Sequence, residues 1–591
     1  MSRPIGDYGL IGDGETAALV SRDGAIDWLC LPRFDSDSCL AALLGDERHG
    51  SWRIAPAIEG WRSSRRYRPD TLILETEFAR GGNAVRVTDF MPIRDGAPAV
   101  VRIVTGLGGQ VDMRLDLALR FDYGLISPWM EAHPDGSAWG VVGPDLVVLR
   151  APVPLQVGRD RIGAAFTVSA GQSLAFTLVH GSSNEDAPPA PDAARALAAT
   201  EAYWRGWIGR FDKPTHWPEA TRRSLITLHA LTHRPTGGLL AAPTTSLPEA
   251  IGGKMNWDYR YCWLRDATFA VGALLNAGYH EEARAWRDWM LRAVAGQPDK
   301  LRIMYRVDGG RHLNEWEVKW LPGYENSRPV HVGNKAADQE QTDVFGELID
   351  AMSLMRRAGI EPSEHARATE RALLERLEQT WPQTGHGFWE NRGDPLHYTY
   401  SKVMAWAGVD RFLRGAARDG GADAETIARL TALRDAIHDE VCEKGFDKAR
   451  GYFVERYGGH HIDASLLLLA PVGFLPVGDP RMAATIEAIA RDLTEGGLVL
   501  RKPRDEAPDE GAFLPCACWL ADVRAMQGRH AEARSLLERV LSVGNDLGLL
   551  SEEYDTTRER LCGNFPQALT HLGVLNTTLG LSGPVLQRAG G

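Results

Sequence analysis

Residues 511–545 read GAFLPCACWLADVRAMQGRHAEARSLLERVLSVGN. Two runs with a 3.6-residue period, 511–527 and 529–545, are split at Gly528, so the stretch predicts a helix, a tight turn and a second helix. Glu532 sits in the opening turn of the second run, where a carboxylate suits the positive helix N-terminus. The same signature stands earlier in the chain: Gly278-Tyr279-His280-Glu281-Glu282-Ala283-Arg284 matches Gly528-Arg529-His530-Ala531-Glu532-Ala533-Arg534 in register. Cys516 and Cys518 fall on different faces of a helix, as small core residues do.

Outward from this hairpin, the helical period holds from about residue 218. Twelve segments carry it, near 218–233, 266–277, 280–296, 340–358, 363–381, 400–418, 423–443, 461–469, 481–494, 511–527, 529–545 and 565–581. Twelve helices without intervening strands predict helix hairpins packed in a ring or a solenoid. A tetratricopeptide-like scaffold needs units stacked at constant short spacing, which two distant copies do not supply. A closed ring also tolerates the long loops at 297–339 and 382–399, and such loops are usually functional.

Before residue 185 the pattern changes. TAALVSRDGAIDWLCL turns at Asp23-Gly24, LILETEFARGGNAVRVTDF turns at Gly81-Gly82-Asn83, and DLVVLR and AAFTVSAGQSLAFTLVHG continue the series. These are hairpin signals, and several in succession predict an antiparallel sandwich. The stretch SSNEDAPPAPDAARALAA, 182–199, reads as a linker running into a helix. The division is a β domain over 1–185, a linker with a helical segment over 186–217, and a helical domain over 218–591.

Composition narrows the class. The 591 residues hold 66 Lys+Arg against 78 Asp+Glu, a net charge of −12, with no basic stripe, which excludes nucleic acid as a partner. The N-terminus lacks the basic and apolar regions of a secretory signal. The longest apolar stretch, near 464–477, contains Pro471 and Pro476 and is too short for a bilayer span. Seven scattered cysteines without a CxxC pair fit a reducing compartment, so a cytoplasmic location is expected. Oligomeric state is not legible. Trp, at 18, outnumbers Phe at 16 and Tyr at 14.

Four loop-rich clusters carry candidate chemistry. In Lys254–Asp266, KMNWDYRYCWLRD, Arg265 and Asp266 stand beside Trp257 and Trp263. A donor and an acceptor grip hydroxyls while a ring stacks on C–H surface, as a sugar requires; an ion-paired loop anchor with core Trp is the plainer alternative. In GHGFWEN, 385–391, Glu390 follows Trp389, and apolar surroundings raise a carboxyl pKa as a general acid needs. In LLSEEYD, 549–555, a catalytic base and a solvated acidic rim are both open readings. In His331–Asp343, helix spacing puts Gln339 and Asp343 on one face, or the segment simply caps a helix. His460, His461 and Asp463 lack a recognised metal pattern, so no metal is expected. GxGxxG after a strand, the P-loop, GxSxG and HExxH are all missing, which removes nucleotide, serine-hydrolase and zincin readings.

Together these clusters resemble glycoside hydrolase family 15, the glucoamylases and bacterial trehalases. GLIGDGETAALVSRDGAIDWLCLPRFDSDS, WDYRYCWLRDATF, GFWENRG, HYTYSKVMAWAGVDR, DASLLLLAPVGFLP and LLSEEYD…GNFPQALTHLGVLN follow in the family's order over nearly the whole chain. The resemblance implies a β-sandwich followed by an (α/α)6 toroid with the site at its loop-rich mouth. It makes Glu390 the general acid and Glu552 the general base, with Glu553 a neighbouring competitor. Trp257, Trp263, Arg265, Asp266, Trp389, Asn391, Arg501 and Tyr554 would bind substrate. Asn391 departs from the second acid that follows the general acid in fungal glucoamylases, which bears on the leaving-group side. The resemblance also suggests that the sandwich lends Asp27-Trp28 to the mouth, and that Trp257, Trp263, Trp316, Trp320, Trp389 and Trp406 line it.

The implied reaction is exo-acting inverting hydrolysis that releases β-glucose from the nonreducing end of an α-glucoside. Its two carboxyl groups would stand about 6.5–9.5 Å apart to admit a water. Bacterial members of similar layout favour α,α-trehalose. Alternatives are a glucoamylase-like α-glucosidase on malto- or isomalto-oligosaccharides, an inverting disaccharide phosphorylase, and a non-catalytic helical scaffold. The chemistry requires no cofactor, although phosphate or magnesium dependence goes with some trehalases of the family. The expected partner is a small oligosaccharide or disaccharide, not a membrane.

Overall fold

The computed structural model describes residues 2–297, 300–419, 422–586 and 588. The first part holds two antiparallel sheets of eight strands each, whose strands lie between Tyr8 and Ser182. Ala17–Ser21 pairs with Ala25–Cys30 across Gly24, whose φ of 81° needs no Cβ. Leu74–Arg80 pairs with Asn83–Phe90 across Gly81-Gly82. One expected hairpin is different. Ile162–Ser169 and Ser173–Ser182 are strands, but they belong to opposite sheets, and the chain crosses between layers at Gly171. Strand-length patterning cannot separate a hairpin from such a crossing, because both need a turn residue between two apolar runs.

The linker helix Ala193–Ile208 leads to twelve helices among the described residues. They are α1 (Pro218–Ala230), α2 (Leu264–Asn276), α3 (His280–Ala293), α4 (Asp343–Arg357), α5 (Glu364–Thr380), α6 (Thr399–Asp419), α7 (Ala424–Lys444), α8 (Leu469–Val472, entered through a 3-10 turn at Ala464–Leu468), α9 (Pro480–Asp492), α10 (Leu514–Met526), α11 (His530–Ser542) and α12 (Ala568–Gly580). The even-numbered helices form an inner ring: α2 packs on α4, α4 on α6, α6 on α8, the turn before α8 on α10, α10 on α12, and α12 back on α2. Each odd-numbered helix backs an inner one from outside. This is an (α/α)6 toroid.

The sequence explains the two rings. α4 buries every residue from Asp343 to Met355, and α10 every one from Leu514 to Ala521, as helices enclosed on all sides must. α3 buries Ala283, Trp286 and Trp289 while Glu281 and Arg284 face outward. At the crossing of α4 and α6 a Cβ on Gly346 would stand 1.9 Å from the Met404 carbonyl oxygen, so only glycine allows that approach. The two matched hairpins are α2–α3 and α10–α11, with Gly278 and Gly528 at φ of 88° and 77° closing the first helix of each. All seven cysteines are free, and Cys516 and Cys518 are buried on α10. None of the described helices is long and apolar enough to cross a membrane.

Candidate active site

A cleft of about 560 Å³ opens at one end of the toroid. Its walls come from the segments that run into inner helices: 241–266 before and into α2, 334–336 before α4, 388–392 before α6, 501–513 before α10, and Gln567 and Leu569 at α12. Helix N-termini therefore converge on the cleft, and their positive ends favour the carboxylates gathered there.

Glu390 lines this cleft in a left-handed backbone conformation, φ 57°. Trp263, the residue before α2, donates Nε1 to Glu390 Oε1 at 2.6 Å, and Arg265 Nη1 reaches the same oxygen at 3.2 Å. Arg265 also bonds the Phe388 carbonyl at 2.5 Å and Asp266 at 3.0 Å. Burial pushes the Glu390 carboxyl above its ordinary range; Arg265 opposes this, Asp266 adds to it, and the Trp263 bond opposes it again. Trp389 stands beside it and donates Nε1 to Asp463 Oδ2 at 2.5 Å. The Asp463 carboxyl is itself pushed up to about 6 by burial and by Glu455.

Glu552 is fully buried behind the cleft wall. Tyr259, which does line the cleft, donates its hydroxyl to Glu552 Oε1 at 2.5 Å, and the Asn564 amide donates to Oε2 at 3.2 Å. The preceding turn needs glycine: a Cβ on Gly563 would meet Glu552 Oε2 at 2.6 Å. Burial, then the charge of Glu249, push the Glu552 carboxyl up to about 8.

Arg501 lies beside this pair, its guanidinium bonded to Glu249 and Glu510 and 3.2 Å from Glu553. Among the described residues, Glu249, Glu510 and Glu553 are the one group able to hold a metal, with ligand atoms within 4.8 Å of one another. The guanidinium already takes the central place a dication would need, so the cluster does not fit magnesium. Burial pushes Glu249 up to about 7 and Glu553 well above its ordinary range; Arg501 opposes both shifts, and Glu510 adds to both.

Residues 218–579 match Glycosyl hydrolases family 15, and residues 1–204 match the family Trehalase-like, N-terminal. The chain belongs to glycosyl hydrolase family 15. It is 36% identical to a trehalase from Mycolicibacterium smegmatis over 98% of this chain and 91% of that one. It is 34% identical to a trehalase from Thermoplasma volcanium, covering 98% and 94%. A crystal structure of a bacterial glucoamylase complexed with acarbose shares the fold, with a TM-score of 0.74 and 11% identity over 99% of this chain and 95% of that one. The protein is a glycoside hydrolase.

Of the residues expected to bind substrate in this family 15 site, Trp257, Trp263, Arg265, Asp266, Trp389, Asn391 and Arg501 line the cleft. Tyr554 does not. It follows Glu553 on the short strand Glu553–Asp555, so alternation turns it away from the side of Glu553, and it lies beneath Arg539 of α11. Gln339 and Asp343 do not share a helix face, because α4 starts only at Asp343. Gln339 instead donates to the carbonyls of Glu390 and Asn391, and Asp343 accepts from Ser401. Asp27 and Trp28 are wholly buried and away from the mouth; Trp28 donates to the Pro243 carbonyl at 2.7 Å. Of the six tryptophans placed at the mouth, Trp257, Trp263 and Trp389 line it. Trp320 instead bonds the sandwich residue Tyr123, Trp316 packs on both, and Trp406 is buried on α6 against Phe474. His460, His461 and Asp463 diverge to Asp447, Glu506 and Trp389. Sequence reasoning missed Glu249, Glu510, Lys502 and Asp463 as parts of the site. Lys502, next to Arg501, and Asp463, weighed only as a metal ligand beside His460 and His461, had a signal.

Proposed function

We propose that this enzyme is an α,α-trehalase that hydrolyses its substrate with inversion. The observation that carries the reading is a pair of buried carboxyl groups presented to one cleft through two aromatic donors: Glu390 under Trp263, and Glu552 under Tyr259. The trehalases of M. smegmatis and T. volcanium, alike over nearly the full chain, support the choice of substrate.

Glu390 protonates the glycosidic oxygen as the bond breaks. Its raised pKa keeps a proton available, while Arg265 and Trp263 stabilise the carboxylate left behind. Glu552, oriented by Tyr259, takes a proton in its ionised form from the water that attacks the opposite face of the ring, so its raised pKa, about 8, sets the acid limb of the rate. Arg265 and Asp266, at the start of α2, grip hydroxyls of the nonreducing glucose, and Trp263 and Trp389 wall that subsite. The mechanism routes no step through a metal or phosphate. Seven free thiols accord with a cytoplasmic location.

The test combines two variants and a substrate panel. Glu390→Gln and Glu552→Gln should each lower kcat on trehalose by a factor of about 100 or more while the protein still folds. Wild-type enzyme should prefer trehalose to maltose, isomaltose, kojibiose, nigerose and soluble starch, and NMR should detect β-glucose as the first new anomer. Near-normal turnover by either variant refutes its role. Preference for maltose would make the enzyme a glucoamylase-like α-glucosidase, and phosphate-dependent release of glucose 1-phosphate would make it a phosphorylase.

A further inference from the structure

The residue that follows Glu390 is bonded to the protein at both ends of its side-chain amide. Asn391 donates Nδ2 to the His386 carbonyl at 3.2 Å, and its Oδ1 accepts from Lys502 Nζ at 3.1 Å. Its carbonyl accepts from Gln339 at 3.2 Å. The side chain is a clamp, and what it clamps is Lys502. The same ammonium donates to Glu455 Oε1 at 2.8 Å, and Glu455 is buried. An ammonium has three protons. Two are placed on Asn391 and Glu455, and Lys502 lines the cleft with its side chain 18% exposed.

Position gives this cation its meaning. The Glu390 carboxyl points to Trp263 and Arg265, the side assigned above to the nonreducing glucose. Lys502 reaches the cleft from a different wall, the 501–513 segment, and is tied to the residue that follows the acid, whereas Trp263 and Arg265 come from the start of α2. The segment after it is braced as well: Arg504 holds Glu495 through two bonds of 2.9 and 2.7 Å. An ammonium is a donor only, so it reads oxygen lone pairs.

We propose that Lys502, set in place by Asn391 and Glu455, recognises the leaving sugar by donating its third proton to a hydroxyl or ring oxygen of the departing glucose. This rests on the assignment of Glu390 as the acid. It makes Lys502 a specificity residue for sugar leaving groups over leaving groups without such oxygens.

The experiment compares trehalose with α-glucosyl fluoride, whose leaving group is one atom, for wild type, Lys502→Met and Lys502→Arg. A hydrogen bond to a charged group is worth about 10- to 150-fold. Lys502→Met should therefore lose about 30-fold in kcat/KM on trehalose, at least tenfold more than on the fluoride, and Lys502→Arg should regain part of the difference. Equal losses on both substrates, or no loss on trehalose, overturn the proposal. If Lys502→Met does not fold because Glu455 is left buried and unpaired, the double variant Lys502→Met/Glu455→Gln carries the same comparison. If wild type cleaves the fluoride but not trehalose, the trehalase reading fails alone, and the comparison moves to the disaccharide that is cleaved. If no disaccharide is cleaved, the Lys502 proposal falls too. If Glu390→Gln retains normal turnover of trehalose, the acid assignment fails instead.

Discussion

Replacing Trp263 with Phe removes one hydrogen bond and keeps an aromatic ring. That bond, Nε1 to Glu390 Oε1 at 2.6 Å, is short and stabilises the ionised carboxylate more than the acid. Its loss therefore raises the Glu390 pKa above the already raised value. A hydrogen bond to a charged group contributes about 1.5–3 kcal/mol, and one pKa unit corresponds to about 1.36 kcal/mol, so the shift is about 1–2 units. Arg265, at 3.2 Å from the same oxygen, remains and sets the lower end of that range. The assay is the pH dependence of kcat/KM, which reports the free enzyme. Because Glu390 must carry its proton to act, the alkaline limb should move up by about one unit while the maximal rate falls. An alkaline limb that stays in place or moves down refutes the assignment of Glu390 as the acid under Trp263 control. Movement of both limbs together would refute it too. That would mean Trp263 acts through Tyr259, whose ring it meets edge-on at 5.3 Å, and so through Glu552.

Two further outcomes test the buried charge. Glu249 and Glu552, pushed up to about 7 and about 8, bind protons in the folded chain that they release at about pH 4.5 when unfolded, so the folded state holds more protons between those limits. Stability should accordingly be greatest near pH 5 and fall toward pH 8 by on the order of 6 kcal/mol, read as a lower urea midpoint at the higher pH; a rise would contradict the shifts. At the far side of the bore, Arg588 pairs with Glu347 at 2.8 Å and Asp350 at 2.6 Å, both wholly buried on α4. Asp350 keeps Arg411, but Glu347 has Tyr400 as its other partner. Arg588→Met should cost about 3–5 kcal/mol in denaturant unfolding, and Glu347→Gln in the same chain should recover most of it. An undiminished Arg588→Met variant, or no recovery, refutes the pairing.

The helical half was legible because two periods differ. A 3.6-residue repeat with glycine stops locates twelve helices, and even the segment at 461–469, the weakest in the series, corresponds to the 3-10 turn and short α8. Which helices face inward is decided by burial and not by apolarity: α10 and α12 are buried nearly all round, Arg524 and His571 included, whereas α3 exposes one face. The site was legible where chemistry and neighbouring sequence coincide, as in Trp263-Leu264-Arg265-Asp266 and Trp389-Glu390. It was not legible where chemistry is assembled from distant loops. Arg501 and Glu552 were expected from the resemblance, but the carboxyls of Glu249 and Glu510 reach them from other parts of the chain, and only the toroid brings these charges together. Tyr554 misled for a related reason: its place in the motif suggested contact with substrate, but strand alternation decides which way it faces.

The sandwich follows the same logic of alternation. In the stretch before α2, Tyr259 turns into the cleft and holds Glu552, while Arg260 turns out of it. Arg260 is wholly buried, pairs with Asp258 at 2.7 Å, and reaches the sandwich three times, at the Ser36 carbonyl (2.7 Å), the Tyr123 hydroxyl (2.8 Å) and Cys30 Sγ (3.5 Å). Trp28 adds its bond to Pro243 on the same segment. The sandwich therefore reaches the site without entering it: it fixes the backbone on both sides of Tyr259, and through Tyr259 the direction of Glu552. In the role proposed for Glu552, a carboxyl gains more from a rigid support than from another neighbour in the cleft, since a displacement of about 1 Å can cost roughly 100-fold in rate. Disturbing Arg260 should thus slow catalysis, although it touches no part of the cleft.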